Sequence, residues 1–167
     1  IDYFYEVNVR DKSVKIEPKF LFLTEDADQI RSQIDGNQID YTGQKLIDNI
    51  STDEITPGWV CYYYDETLAE YVHVGLRGEV VKKDDLVKNK FSVIVSGKSK
   101  GCGSSRETAP YAEKWAGAQL IIAESIEKIY GQNCINIGLL TSTDYGLVER
   151  IKNCLLYTSP SPRDSCA

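Results

Sequence analysis

The run Phe91-Ser92-Val93-Ile94-Val95, continuing through Ser96-Gly97-Lys98-Ser99-Lys100 into Gly101-Cys102-Gly103-Ser104-Ser105-Arg106-Glu107, sets the architecture of this chain. Its first five residues are mostly apolar and β-branched, so they read as a buried strand. Glycines then break the strand, and a helix is expected from about Arg106 to Ala116. Gln119-Leu120-Ile121-Ile122-Ala123 is the next buried strand. Strand, loop, helix and strand in this order make a right-handed βαβ unit, which places the chain in the α/β class.

Working outward, a short helix is expected over Ser125–Tyr130, and Ile135-Asn136-Ile137-Gly138-Leu139-Leu140 closes the unit as a strand. Upstream, Val60–Tyr64 and Tyr71–Val74 both suit strands, after a polar turn Asp48–Asp53 stopped by Pro57-Gly58. Earlier still, Thr24-Glu25-Asp26 opens a helix carrying Ala27, Ile30 and Ile34 at helical spacing, and Asp35-Gly36-Asn37 ends it. Tyr3–Val9, Val14 to Ile16 and Phe20–Leu23 suggest strands, with Asp11-Lys12-Ser13 as a turn. The text divides into a leading segment 1–40, a domain 41–153 and a tail 154–167. With no methionine, the chain is expected to be cut upstream. Cys154 to Asp164 resembles the translation of a transposase adapter used in sequencing libraries, and is set aside as a non-native tail.

The 167 residues suffice for one ordinary domain, and 42% hydrophobic with 26% charged residues is a globular composition. A formal charge of -6 argues against nucleic-acid binding through a broad basic surface. No apolar run approaches the ~20 residues of a membrane span. The five cysteines are scattered, with no C-x-x-C pair, so neither a zinc site nor a disulfide framework is indicated. A cytoplasmic setting with reduced thiols is expected.

The loop Gly101–Glu107 carries the chemistry. Glycines allow close backbone approach, and the free N–H groups of a following helix attract an anion. Arg106 can grip a carboxylate with two parallel hydrogen bonds, and a serine among such positive ends can serve as a base once ionised. A second reading stays open: Ser104-Ser105-Arg106-Glu107 is also an S-x-x-E capping box, in which Ser104 merely caps the helix and Glu107 returns the bond. A P-loop is excluded, because Ser92 stands where its first glycine should be.

Gly101-Cys102-Gly103-Ser104-Ser105-Arg106-Glu107 resembles the active-site signature of the aconitase superfamily, in particular the small subunit of isopropylmalate isomerase (3-isopropylmalate dehydratase). Asp48–Pro57 is similar to that family's Asp-x-x-x-Thr-Asp-x-Ile-x-Pro element, and Ala123–Ile129 and Asn133–Leu140 to its following segments. The resemblance implies a three-layer swivelling β/β/α domain of a hydro-lyase acting on a hydroxy di- or tricarboxylic acid. It implies Ser104 as the base, Asp53 in support, and Ser105, Arg106, Thr52 and Gly103 on the substrate. Gly101 and Glu107 would support the loop. A [4Fe-4S] cluster would reside in a cluster-bearing partner, fused or separate, with no metal bound by this chain, which alone would be inactive. Two departures stand out: Thr108 replaces the family's His, and Thr141 its Pro.

Among the other residues, Cys102 is expected to pack, and His73 lacks visible metal partners. Lys98 and Lys100 either add positive potential at the loop mouth or are solvated, and Arg77 is a candidate second carboxylate contact. Tyr62-Tyr63-Tyr64 suits a strand and interface surface. A catalytically silent regulatory or carboxylate-binding module on the same fold is the alternative function.

Overall fold

Strands whose side chains are apolar in both directions must be covered on both faces. In the computed structural model, which describes residues 18–39 and 43–150 together with Ile16 and Tyr41, four such strands form one parallel sheet. They are β1 (Phe20–Phe22), β2 (Val93–Ser96), β3 (Leu120–Ala123) and β4 (Leu140–Ser142), in spatial order β1-β2-β3-β4. Leu21, Ile94 and Ile121 lie in one register across the sheet. The expected α/β class and parallel βαβ unit are therefore present.

Because the strand order never reverses, crossovers of a single hand all fall on one face of the sheet. That face carries Leu21, Ile94 and Ile121, packed into a core with Ile30 and Ile34 of α1 (Ala27–Ile34) and Ile55 of α2 (Thr52–Ile55). Leu68 and Ala69 of α3 (Thr67–Glu70) and Leu86 of α4 (Asp85–Asn89) join them. So do Ala109 and Ala112 of α5 (Thr108–Trp115), and Tyr130 and Cys134 of α6 (Lys128–Ile137). The opposite face, with Phe22, Val93, Val95 and Ile122, is covered by Leu46, Tyr41 and the helical residues 145–150 through Val148.

Several local expectations hold. Asp26 caps α1, its carboxylate accepting from the Asp28 N–H, and the helix ends at Asp35-Gly36. Others are corrected. Residues 57–63 form successive turns, with the Val60 N–H donating to Pro57 O and the Tyr63 N–H to Val60 O, so no strand forms over Val60–Tyr64. Tyr71–Val74 is also turn, because the backbone bends at His73 with φ of 62°. The aromatic content that favours strand is overridden by Pro57-Gly58 before the run and by α3 inside it. Ile135–Ile137 belongs to α6, with Gly138 as its left-handed cap, and the strand starts only at Leu140. Tyr130 and Cys134, four residues apart, form the buried face of α6, while Ile135 is exposed. The expected strands at Tyr3–Val9 and Val14, the turn at Asp11–Ser13 and the tail from Cys154 lie outside the described residues.

Candidate functional site

The loop between β2 and α5 turns back on itself at two left-handed glycines, Gly101 with φ of 80° and Gly103 with φ of 96°. A side chain is strained in that region, and at Gly101 a β-carbon would also strike the Tyr130 ring. The turned loop docks along residues 50–52. The Gly101 N–H donates to Ile50 O at 2.8 Å, and the Thr52 N–H to Cys102 O at 2.8 Å. Ser51 and Cys102 form a parallel bridge pair.

This docking brings together residues distant in sequence. Thr52, which is buried, sets its Oγ1 3.0 Å from Ser104 Oγ and 3.1 Å from Ser104 O. Arg106 Nη1 pairs with Asp53 Oδ1 at 2.5 Å and donates to Thr56 O at 3.1 Å. Nε and Nη2 of Arg106 have no hydrogen-bond partner among the described residues, so one edge of the guanidinium fork is left for a planar anion. Ser104 and Ser105 are exposed, and Ser105 makes no hydrogen bond among the described residues. Asp53, Gly103, Ser104, Ser105 and Arg106 thus lie together at the surface, with Thr52 and Gly101 buried behind them.

The capping box lies elsewhere than at Ser104. Helix α5 starts at Thr108, with Glu107 at its N-cap position and no side-chain cap. Glu107 instead accepts from Tyr64 Oη at 3.1 Å. The box that does form is Ser51-Thr52-Asp53-Glu54: Ser51 Oγ accepts from the Glu54 N–H, and Glu54 Oε2 from the Ser51 N–H. The same S-x-x-E pattern was legible there, one residue before Thr52. Arg77 is spent on this box, donating to both Glu54 carboxylate oxygens at 2.7 and 3.0 Å, which removes it as a second carboxylate contact. Burial raises the Glu54 pKa, but Arg77 and the Ser51 bonds outweigh it and hold it at about 2.

Thr108 is buried, its Oγ1 3.3 Å from Cys61 Sγ, tying the first turn of α5 to residues 57–61. Burial, followed by the Glu54 charge, raises the half-buried Cys102 thiol above its usual value, so it stays protonated. Lys98 is exposed, its Nζ 3.4 Å from Glu124, whereas Lys100 is neither solvated nor at the mouth. It is completely buried against Glu113, and sequence reasoning missed this pair because a lysine in a glycine-rich loop is ordinarily wet. His73 belongs to the same buried group, its Nε2 2.8 Å from Glu113 Oε1. Among the described residues no group of three His, Cys, Asp or Glu side chains is placed to hold a metal ion. They offer no ligand set for an iron–sulfur cluster. Also among the described residues, no helix is long and apolar enough to cross a membrane.

A parallel α/β sheet whose βα loop presents a serine, an arginine fork and a facing Thr-Asp pair matches the Aconitase C-terminal domain model over residues 24–143. The chain belongs to that family. It is 41% identical over 108 residues to the isopropylmalate/citramalate isomerase small subunit of Methanocaldococcus jannaschii, covering 64% of this chain and 62% of that one. It is 45% identical over 93 residues to the methanogen homoaconitase small subunit of Methanothermobacter thermautotrophicus, covering 55% and 52%. The crystal structure of 3-isopropylmalate dehydratase from M. jannaschii aligns with a TM-score of 0.48 at 36% identity, over 56% of this chain and 55% of that one. The chain therefore spans roughly half to three fifths of the relatives it matches.

Proposed function

We propose that this chain is the swivelling domain of an aconitase-type hydro-lyase, which removes water from a hydroxy di- or tricarboxylic acid and restores it at the neighbouring carbon. One observation carries the reading: Ser104 Oγ, hydrogen-bonded to Thr52 Oγ1, stands exposed beside the Arg106–Asp53 pair. Arg106 binds one substrate carboxylate through its free Nε and Nη2 edge, with the Ser105 hydroxyl beside it. Asp53 fixes the guanidinium so that this edge faces outward. Ser104, as the alkoxide, takes the proton from the carbon next to a carboxylate. Thr52 Oγ1, 3.0 Å from Ser104 Oγ, turns its single proton from Ser104 O to Ser104 Oγ once that oxygen is ionised, which favours the charged form. Gly103 lets the loop backbone approach the ligand, and Gly101 and Glu107 hold the loop.

A cluster-bearing partner, separate or fused, would supply a [4Fe-4S] centre acting as Lewis acid toward the departing hydroxyl. The exposure of Ser104 and Ser105 suits a surface that closes against such a partner and sheds water as it does so. The setting is cytoplasmic, where Cys61, Cys102 and Cys134, all free, stay reduced. The test is to co-express the chain with an aconitase-type cluster-bearing partner, reconstitute the cluster without oxygen, and assay hydration of unsaturated di- and tricarboxylic acids. Turnover that Ser104→Ala abolishes is the expected result. Turnover undiminished in that variant removes Ser104 as the base. No turnover, with carboxylates still bound, favours the silent binding module.

A further inference from the structure

Beneath the site, and touching none of its exposed groups, lies a polar cluster that the proposed chemistry does not use. The Glu113 carboxylate, at 0% exposure, forms an ion pair with Lys100 Nζ at 2.8 Å and accepts from His73 Nε2 at 2.8 Å, both on Oε1, and accepts from the Tyr130 hydroxyl on Oε2. An ionised carboxylate only accepts, so Nε2 of His73 carries the proton. Each of these groups comes from a different part of the chain. Glu113 is on α5, Tyr130 on α6 and Lys100 in the loop immediately before Gly101. His73 lies in the turn whose N–H bonds Ile55 O at the end of α2. The floor of the loop is part of the same cluster, since Gly101 rests on the Tyr130 ring.

Burying a lysine and a glutamate costs several kcal/mol each before their attraction is counted, and apolar residues of similar size usually do at least as well for stability. The pair is therefore poorly explained as a stability device. It does explain geometry. One arm of the hub fixes Lys100, and with it the turn that delivers Ser104. Another fixes His73, and with it the end of the segment that delivers Thr52 and Asp53. We infer that Glu113 is a positioning residue: a buried carboxylate hub that holds the two halves of the site in register through Lys100 and His73.

Lys100→Met combined with Glu113→Gln removes both charges, yet leaves the amide able to bond Tyr130 and His73. In the full chain, the double variant is expected to unfold at nearly the wild-type urea midpoint. The amides of Gly101, Cys102 and Thr52, which bridge the halves, should nevertheless exchange with deuterium at least about 10-fold faster, because local opening is freed from global unfolding. Lys100→Met alone should show the same local loosening together with a fall in the midpoint. Exchange at the wild-type rate, or accelerated only as far as global stability falls, overturns the inference. A second arm rests on the proposed hydro-lyase reading: in the reconstituted complex, kcat should fall at least about 10-fold in the double variant with KM within 2-fold. Activity that returns along with stability overturns it equally. Absence of turnover in the wild-type complex would count against the reading, while the exchange arm still decides the hub.

Discussion

Arg106 and Asp53 meet at 2.5 Å although one lies in the loop after β2 and the other in α2, on the far side of β2 in the chain's path. The contact is made at Nη1, which also donates to Thr56 O, and leaves Nε and Nη2 without a hydrogen-bond partner among the described residues. On the proposed reading it would set the direction from which a carboxylate is received, beyond neutralising a charge.

Arg106→Lys keeps the charge but loses the planar fork. Charged hydrogen bonds contribute about 1.5–3 kcal/mol, so KM for a carboxylate substrate should rise roughly 10- to 150-fold in the reconstituted complex. Steady-state kinetics against Asp53→Asn separates the effects: the Asp53 variant, with the fork intact but unaimed, should lose less.

Thr52→Val preserves shape while deleting the hydroxyl that contacts Ser104 Oγ and Ser104 O. Losing about 1–3 kcal/mol of support to the charged serine should lower kcat roughly 5- to 150-fold, with the pH at which activity rises moved upward. A kcat–pH profile checks this, and a profile unchanged in position would show that Thr52 does not act on Ser104.

Gly101→Ala tests the turn directly. A φ of 80° is strained for alanine, and the new carbon meets the Tyr130 ring. Strain and overpacking each cost about 1–3 kcal/mol. An unfolding free energy lowered by a total of about 2–6 kcal/mol in urea titrations is expected, whereas Gly36→Ala, also at positive φ but with nothing near it, should lose only the strain.

Stability should fall with acid in two stages. Burial, then the Lys100 charge, depresses the His73 pKa below its ordinary 6.5. The unfolded chain therefore takes up a proton that the folded one refuses, and stability is full above 6.5 and declines below it. Glu54, held at about 2 against an ordinary 4.5, contributes fully above 4.5 and loses that contribution as pH falls toward 2. Glu113 is depressed too: the Lys100 charge and the His73 bond overcome the upward push of burial, so its contribution drains in the same lower window. Urea midpoints measured from pH 8 to 3 should trace both stages, and Glu54→Gln should flatten only part of the lower one. A midpoint that rises between pH 7 and 4 would contradict this assignment.

Local sequence signals served well where the local signal decides the structure. The apolar run at Val93, Ile94 and Val95 is β2, and Asp26 caps α1. They failed where a distant contact decides. The tyrosines at Tyr62–Tyr64 have strand propensity, yet no sheet edge lies beside them, and three i→i+3 bonds take the backbone instead. Of the site, the residue types and the glycine turns were readable in the loop itself. Which serine caps a helix was not, because Ser51 and Ser104 both start an S-x-x-E, and only docking distinguishes them. Lys100 was unreadable for the same reason: its partner Glu113 lies on a helix whose inner face the local pattern does not mark as charged.

The parallel bridge between Ser51 and Cys102 has a consequence for how the protein comes into being. Half of the surface is made before β2 and half after it, so neither half can be assembled from its own neighbourhood. Contacts of such long sequence separation must close a large loop, and they form late. A chain emerging from the ribosome would thus present Thr52 and Asp53 before Ser104 and Arg106 exist, and a partly unfolded one would hold the two pairs apart. The site belongs to the finished fold, and because the β1–β2 pairing of Phe20 with Val93 closes a longer loop still, its appearance during refolding should accompany completion of the sheet.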